Sequence, residues 1–321
     1  METRTVSEKV LVTGGAGFIG SHVAERYLAE GFDVTVLDDL SSGRRENVPD
    51  GAAFVQADVG SAAARELMAD GGFSILNHHA AQMDVRVSVE DPALDARTNL
   101  LGLLNLLEGG RAGALRRVVF ASSGGVVYGE SDDLPHPETA PKLPVSPYGV
   151  SKLASEFYLA AYAQLHGLAA VSLRYANVFG PRQNPHGEAG VVAIFGSRLL
   201  RRQGLTIFGD GSQTRDYVYV GDVVNANLCA TRWQVPPVAT IDDVAVNVGT
   251  AAETSVTQLA RALIDAAEVT VPIEHAAARP GELRRSAVSV DKAARIWGWR
   301  PEVTLAEGLR RTYEWIQEEA A

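Results

Sequence analysis

The sequence predicts an α/β fold, a doubly wound parallel sheet followed by a smaller C-terminal α/β substrate domain. Three observations predict it. Short apolar runs alternate with helical patterns through the first half of the chain, a glycine-rich turn joins the first run to the first helix, and after residue 176 the texture changes to loops and scattered short strands.

Residues 10–13 read as a buried strand, and the helix after the glycines carries Ile19, Val23, Tyr27 and Leu28 on one face. Further strands are expected at 34–37, 54–56, 75–77, 117–121 and 170–174, with helices notably over 95–108 and 147–166. Strands covered by helices on both faces lose the usual alternation and become continuous apolar runs. Residues 180–187, Gly-Pro-Arg-Gln-Asn-Pro-His-Gly, form a loop by composition. A helix near 191–202, strands at 205–208, 216–220 and 245–248, and a helix over 257–267 complete the pattern. Residues 1–176 are therefore expected to form the first domain, its sheet completed from within 216–267, and residues 177–321 the second.

The chain has 321 residues, 46% of them hydrophobic, enough for a substantial core. A net charge of −10 and a pI of about 5.2 provide no basic field for nucleic acid or an anionic membrane, so an anionic ligand needs local arginines. The single cysteine, Cys229, supports neither a disulfide framework nor a thiolate metal site. His78-His79 lacks a third ligand at sensible spacing, and no metal is expected. Residues 1–9 lack the apolar stretch of a signal peptide, and no run approaches the ~18 residues of a spanning helix. A cytoplasmic location is expected.

Gly14, Gly17 and Gly20 stand at the spacing G-x-x-G-x-x-G between a strand and a helix. The first permits a tight turn, the second lets backbone approach a pyrophosphate, and the third lets helix and strand pack closely. The helix N-terminus then offers its N–H groups to the phosphates. Asp38 ends the next strand, about 20 residues on, where a carboxylate accepts both ribose hydroxyls and repels a 2′-phosphate. Arg44 and Arg45 follow and could welcome NADP, but Asp38 decides for NAD. Together these are the marks of a Rossmann dinucleotide-binding domain.

Tyr148 and Lys152 lie four apart, on one face of a helix. A free phenol titrates near pH ~10 and is a poor base at neutrality. A neighbouring ammonium favours phenolate, which can take a proton from a sugar hydroxyl. Upstream, a predicted strand ends in Ser122, Ser123, Gly124 and Gly125, where a hydroxyl can hydrogen-bond the reacting oxygen.

These residues, with Asp58-Val59, His79-Ala80-Ala81, Asn99, Arg174-Tyr175-Ala176-Asn177, Arg215-Asp216 and Arg279-Pro280-Gly281-Glu282, occur in order over nearly the whole chain. The chain resembles the extended short-chain dehydrogenase/reductases, most closely the UDP-glucose 4-epimerase group. The resemblance implies that Gly14, Gly17, Phe18, Ile19 and Asp38 bind NAD, with Asp39, Ser42 and Gly43 near the adenosine ribose. It places Asp58 and Val59 at adenine, Ala80 and Ala81 beside the pyrophosphate, and Asn99 and Tyr175 at the nicotinamide half, which Tyr148 and Lys152 also meet. Ser123, Tyr148 and Lys152 would be catalytic. Asn177, Val192, Thr206, Phe208, Arg215 and Arg279 would hold the nucleotide sugar, the two arginines on its diphosphate, where guanidinium forks bind bidentately.

Some positions depart from the pattern. Tyr128 comes five residues after Ser123, one more than usual, so Ser123 is taken as the catalytic hydroxyl with Ser122 in reserve. Gly124-Gly125 replaces the Asp-Glu of nucleotide-sugar 4,6-dehydratases and speaks against dehydration. Asn184 stands where uronate 4-epimerases often carry Arg, favouring a neutral hexose. Ser286 falls where a bulky Tyr excludes N-acetylated sugars, so UDP-GlcNAc stays open beside UDP-glucose, as does UDP-glucuronate. The expected reaction is NAD-dependent inversion at C4 of a UDP-hexose through a transient 4-keto sugar. A net nucleotide-sugar oxidoreductase and a non-catalytic NAD sensor are the rival readings. Leu100, Leu101, Leu103, Leu104, Leu106 and Leu107 make one helix apolar nearly all round, and with Phe157, Leu159 and Tyr162 they suggest the two-fold helical interface of a homodimer.

Overall fold

The computed structural model describes residues 7–185, 190–278 and 283–320. In chain order the first half runs β1 (Lys9–Thr13), α1 (Phe18–Ala29), β2 (Asp33–Asp38), β3 (Ala53–Gln56), α2 (Ala62–Asp70), β4 (Ile75–His78), α3 (Val85–Glu90), α4 (Pro92–Ala96), a π turn (Arg97–Leu101), α5 (Gly102–Ala112), β5 (Arg117–Ser123), α6 (Pro147–His166) and β6 (Ala169–Tyr175). The remainder runs β7 (Asn177–Phe179), α7 (Val191–Leu200), β8 (Leu205–Phe208), β9 (Thr214–Arg215), β10 (Tyr217–Tyr219), α8 (Val220–Arg232), α9 (Ile241–Val244), β11 (Ala245–Val248), β12 (Thr254–Ser255), α10 (Val256–Ala267), β13 (Ile273–Ala276), α11 (Asp291–Trp297) and α12 (Leu305–Glu318).

Seven strands form one sheet in the order β11-β6-β5-β4-β1-β2-β3, with β1–β2, β2–β3, β1–β4 and β4–β5 paired in parallel. Chain order reverses between β1 and β4, and a doubly wound sheet takes its ligand in the crevice beyond the carboxyl ends of such strands. β1 and β4 are buried almost throughout, which explains their apolar runs.

The chain divides into two compact units, and the division is interleaved rather than a single cut at 176. The first comprises Met1–Ser122, Ser146–Leu173 and Asn227–Ala245, and the second Ser123–Val145, Arg174–Ala226 and Val246–Ala321. Buried hydrogen bonds explain why. Asn77 Nδ2 donates to Tyr27 Oη and to Asn227 Oδ1, both at 2.9 Å, and Tyr27 Oη meets Thr231 Oγ1 at 2.5 Å, tying α8's second half into the first unit. Tyr128 Oη donates to Asn247 Oδ1 at 2.7 Å and the Asn247 N–H to Glu138 Oε1 at 2.8 Å, tying the stretch after β5 into the second.

The first unit's core gathers Leu11, Leu76, Phe120, Leu103, Leu106 and Leu159. The second unit's core gathers Phe179, Val192, Phe195, Leu205, Ile207 and Leu259. Two expectations are corrected. The 95–108 stretch is not one regular α-helix: a π turn, in which Asn99 is buried, stands between α4 and α5. The apolar faces of α5 and α6 are less open than their composition suggests, because Leu103, Leu106, Leu107 and Leu159 are buried and Leu104 and Tyr162 pack against them. Leu101 and Phe157 do stand open, 54% and 57% exposed. Among the described residues no helix is long and apolar enough to cross a membrane.

Candidate active site

The first unit builds a cradle from backbone. After β1 the chain turns at Gly14 with φ +67°, and a Cβ there would stand 2.7 Å from the Ala80 nitrogen. That approach brings Ala80, at the end of β4, against the turn; Ala81 follows it half-buried. Gly17 is extended and donates its N–H to Gly14 O at 3.0 Å; no side chain caps α1 behind it. The first N–H groups of α1, from Phe18 and Ile19, therefore carry its positive end with no acidic residue in the first turn. A Cβ at Gly20 would collide with Gly14 O, which is the close packing its spacing predicts.

Asp38, at the end of β2, is 6% exposed and accepts from Ala16 N at 3.0 Å and Leu40 N at 2.9 Å. Burial pushes its carboxyl above the usual range, partly opposed by those two N–H groups, and Asp39 adds like charge. Two acceptor oxygens retain lone pairs for a diol. A Cβ at Gly43 would lie 2.9 Å from Asp38 Oδ1 and 3.0 Å from the Ala16 carbonyl carbon, so the space over the carboxylate exists only because residue 43 has no side chain. Asp39 and Ser42 are exposed on the same loop, and Asp39 Oδ1 accepts from Ser41 N at 2.8 Å. Arg44 pairs with Glu46 at 2.7 Å and Arg45 lies 4.5 Å over the Phe54 ring, so both guanidiniums have partners other than a 2′-phosphate. Asp58 is exposed and accepts from Gly60 N at 2.6 Å; Val59 is buried in the core.

The pair on α6 is set by its N-terminus. Ser146 caps the helix, accepting from Gly149 N at 3.2 Å, and Pro147 occupies its first turn. Tyr148, half-buried, follows at once. Lys152 is 3% exposed; its Nζ donates to Ala121 O at 2.9 Å and lies 4.9 Å from the Phe120 ring and 5.7 Å from the Tyr148 ring. Burial pushes the amine down to about 8, opposed by the charge of Asp95. His78 and His79 are pushed down to about 3, chiefly by burial and then by the ammonium beside them, and so stay neutral. His78 Nδ1 meets Thr13 Oγ1 at 2.7 Å and its ring stacks on Phe120 at 6.0 Å, which are packing roles.

The two serines at the end of β5 separate by partner. Ser122 Oγ donates to Glu156 Oε1 at 2.5 Å inside the first unit, and Ser122 is 3% exposed. Ser123 opens the second unit, half-buried. There Gly124 N–H donates to Tyr175 O at 2.8 Å, and Tyr175 is itself buried at the end of β6. Asn177 is exposed at the start of β7. On β8, Leu205 and Ile207 enter the core while Thr206 and Phe208 share the opposite, half-open face. Val192, at the start of α7, is in the core with 1% exposure. Arg215, half-buried on β9, donates to Thr214 O at 2.7 Å. The next residue, Asp216, is buried and accepts from the Thr250 N–H and hydroxyl, at 2.8 and 2.6 Å, and from Ala251 N at 3.1 Å, which holds the strand that carries Arg215. Arg279 lies outside the described residues.

The sequence model of the NAD dependent epimerase/dehydratase family matches residues 10–249, three quarters of the chain and all of the Gly14, Asp38 and Tyr148–Lys152 constellation. The chain belongs to this family. A UDP-glucose 4-epimerase of Mycolicibacterium smegmatis is 45% identical over 314 residues, covering 96% of this chain and 98% of that protein. The crystal structure of a UDP-glucose 4-epimerase from Thermotoga maritima, solved with UDP-glucose, superposes with a TM-score of 0.93 at 42% identity, covering 98% of this chain and all of that one. A Thermus thermophilus UDP-glucose 4-epimerase in complex with NAD gives a TM-score of 0.88 at 46% identity, over 96% of this chain and 99% of that one.

Within this epimerase/dehydratase chain, sequence reasoning overlooked Gln82, Asp95, Ser151 and Glu156. Asp95 is fully buried and accepts from Ser151 Oγ at 2.6 Å, Asn99 Nδ2 at 2.8 Å and Gln82 Nε2 at 3.1 Å. Asn99, expected at the nicotinamide, spends its amide on the Gln82 backbone, donating to Gln82 O at 2.8 Å and accepting from Gln82 N at 2.9 Å. The one available signal is an acid one turn before Asn99, at the head of the leucine-rich stretch.

Proposed function

We infer that the protein interconverts the C4 epimers of a UDP-hexose, UDP-glucose and UDP-galactose, with NAD as its resident cofactor, and that it acts as a homodimer. The observation that carries the reading is the Lys152 ammonium held 5.7 Å from the Tyr148 ring in a chain similar from end to end to UDP-glucose 4-epimerases. The side-chain-free space over Asp38 and the uncapped start of α1 fit the ribose and the pyrophosphate of NAD. NAD bound there would supply the hydride acceptor and donor that inversion at C4 needs.

Tyr148 Oη removes the C4 hydroxyl proton, made acidic enough for the task by Lys152, and returns it when the alcohol is re-formed. Ser123 Oγ steadies the C4 oxygen through both steps. Arg215 grips the diphosphate while the 4-keto sugar, held by fewer contacts, turns over. Leu101 and Phe157, with Tyr158 43% exposed beside it, supply the apolar face of the dimer.

Incubating the purified protein with UDP-glucose or UDP-galactose and resolving the epimers by chromatography tests the reading. Both directions should reach one equilibrium mixture with no net change in NADH absorbance. Tyr148→Phe should bind NAD and interconvert neither sugar; undiminished activity in that variant would refute the assignment.

A further inference from the structure

We propose that Asp95 is a positioning residue for the catalytic helix: its buried carboxylate gathers the hydroxyl of Ser151, the neighbour of Lys152, and the amides of Asn99 and Gln82. The inference deepens the epimerase reading and rests on it for its catalytic meaning, though not for its test.

Three protein donors converge on this one side chain. Ser151 Oγ donates to Oδ2, while Asn99 Nδ2 and Gln82 Nε2 donate to Oδ1, so the group serves as acceptor only. Each donor belongs to a different element of the first unit. Ser151 immediately precedes Lys152 on α6, Asn99 sits in the π turn, and Gln82 belongs to the loop that leaves β4 just after Ala80 and Ala81. Asn99 then clamps that loop through both polar backbone groups of Gln82. A single carboxylate thus sets the helix that bears the catalytic pair against the loop beside the dinucleotide cradle. Asp95 and Asn99 stand four residues apart, the spacing that brings two side chains onto one helix face, and there they bond each other.

The charge has a second use. Lys152 is buried, and desolvation alone drives an amine toward its neutral form. Of the groups around it, His78 and His79 on the β4 side are neutral, Tyr148 is the phenol to be activated, the β5 residues Phe120 and Ala121 carry no charge, and two acids remain: Glu156, one turn along α6 with the Ser122 hydroxyl as donor, and Asp95. Asp95 is the anion that opposes desolvation of Lys152. Without a charged Lys152, Tyr148 loses the field that makes it acidic.

The chain has four lysines, Lys9, Lys142, Lys152 and Lys292. Protein labelled with 13C at lysine Cε therefore gives a countable set of resonances, and the one missing from Lys152→Met is that of Lys152. Its titration is followed in wild type, Asp95→Asn and Ser151→Ala. Asp95→Asn keeps the shape and two acceptor lone pairs and removes the charge; Ser151→Ala keeps the charge and removes one hydrogen bond. The Lys152 midpoint should fall by about one pH unit in Asp95→Asn and stay in place in Ser151→Ala. In wild type, the Asp95 Cγ resonance should inflect at the Lys152 midpoint, a reading that needs no variant to fold. An unmoved midpoint in a folded Asp95→Asn, or no inflection in wild type, overturns the proposal. Epimerisation profiles run on the same samples should show the alkaline fall of kcat moving to lower pH with KM unchanged. A moved midpoint in a protein that epimerises no sugar would leave Asp95 in its role and overturn the functional reading instead.

Discussion

Lys152→Met separates the catalytic value of the buried amine from its energetic burden. Lys152 binds its proton with a midpoint near 10.5 when unfolded and about 8 in the native site, because burial withdraws water from the charge. At about 1.4 kcal/mol for each tenfold change in proton affinity, holding the ammonium costs the native state roughly 3 kcal/mol at neutral pH. Below pH 8 both states are charged and the penalty is constant. Between pH 8 and 10.5 the unfolded chain binds the more protons, so stability contributed by this group rises with pH across that window. Methionine is of similar size and carries no charge, and burial, the largest cause of their shifts, keeps His78 and His79 neutral across this window in either protein. The stability of wild type relative to Lys152→Met should therefore rise by about 2 kcal/mol between pH 7 and pH 10. Urea unfolding followed by far-UV circular dichroism measures this at each pH. The Ala121 carbonyl hydrogen bond lost in the variant shifts the whole curve and not its slope. Equal pH dependence in the two proteins would mean that Lys152 is not desolvated in the folded state, and the reasoning about Tyr148 would fall with it.

The serine pair at the end of β5 should divide cleanly. Ser122→Ala deprives the buried Glu156 of its 2.5 Å donor and should destabilise the fold by about 2 kcal/mol with kcat kept, whereas Ser123→Ala should leave thermal stability alone and lower kcat about 10²-fold; denaturation midpoints and epimerisation rates on both variants distinguish the roles. Gly43→Ala, which places a methyl 2.9 Å from Asp38 Oδ1, should weaken NAD binding about tenfold or more in titration calorimetry with little change in melting temperature, and unaltered affinity would remove Asp38 from the ribose site.

Most of the sheet was legible because burial on both faces writes itself into composition. Lys9–Thr13, Asp33–Asp38, Ile75–His78 and Ala245–Val248 each contain an apolar run that marks them within a residue or two. Helix α6 was legible in full, since Ser146 and Pro147 start it and Gly167, at φ +67°, stops it. The π turn was not legible. Apolar spacing through residues 95–108 fits an ordinary helix, and Asn99, inside the turn, finds its partner Gln82 seventeen positions away. The interleaving of the two units was hidden for the same reason: Asn227 belongs with Asn77, and Tyr128 with Asn247, through pairings that no local window contains.

The site divides along the same line. Gly14, Gly17 and Gly20, or Tyr148 and Lys152, announce themselves because their function depends on neighbours three or four residues away. Asp95 depends on Ser151, which is 56 residues distant, and an acid read without that partner looks like solvated charge. Burial reverses that meaning and also reverses what the Tyr148–Lys152 spacing guarantees. Four residues of helix bring an amine beside a phenol, but they do not settle whether the amine is charged at the pH where the enzyme works. With its proton affinity lowered to about 8, Lys152 stands close to losing that charge, and the outcome belongs to the groups around it. Two chains with the same Tyr-x-x-x-Lys pair, one with an acid at the position of Asp95 and one with a neutral residue there, should therefore differ in the pH at which activity fails on the alkaline side, the acid-bearing chain holding out longer. A shared alkaline limit would show that the pair sets its own protonation, whatever lies beneath it.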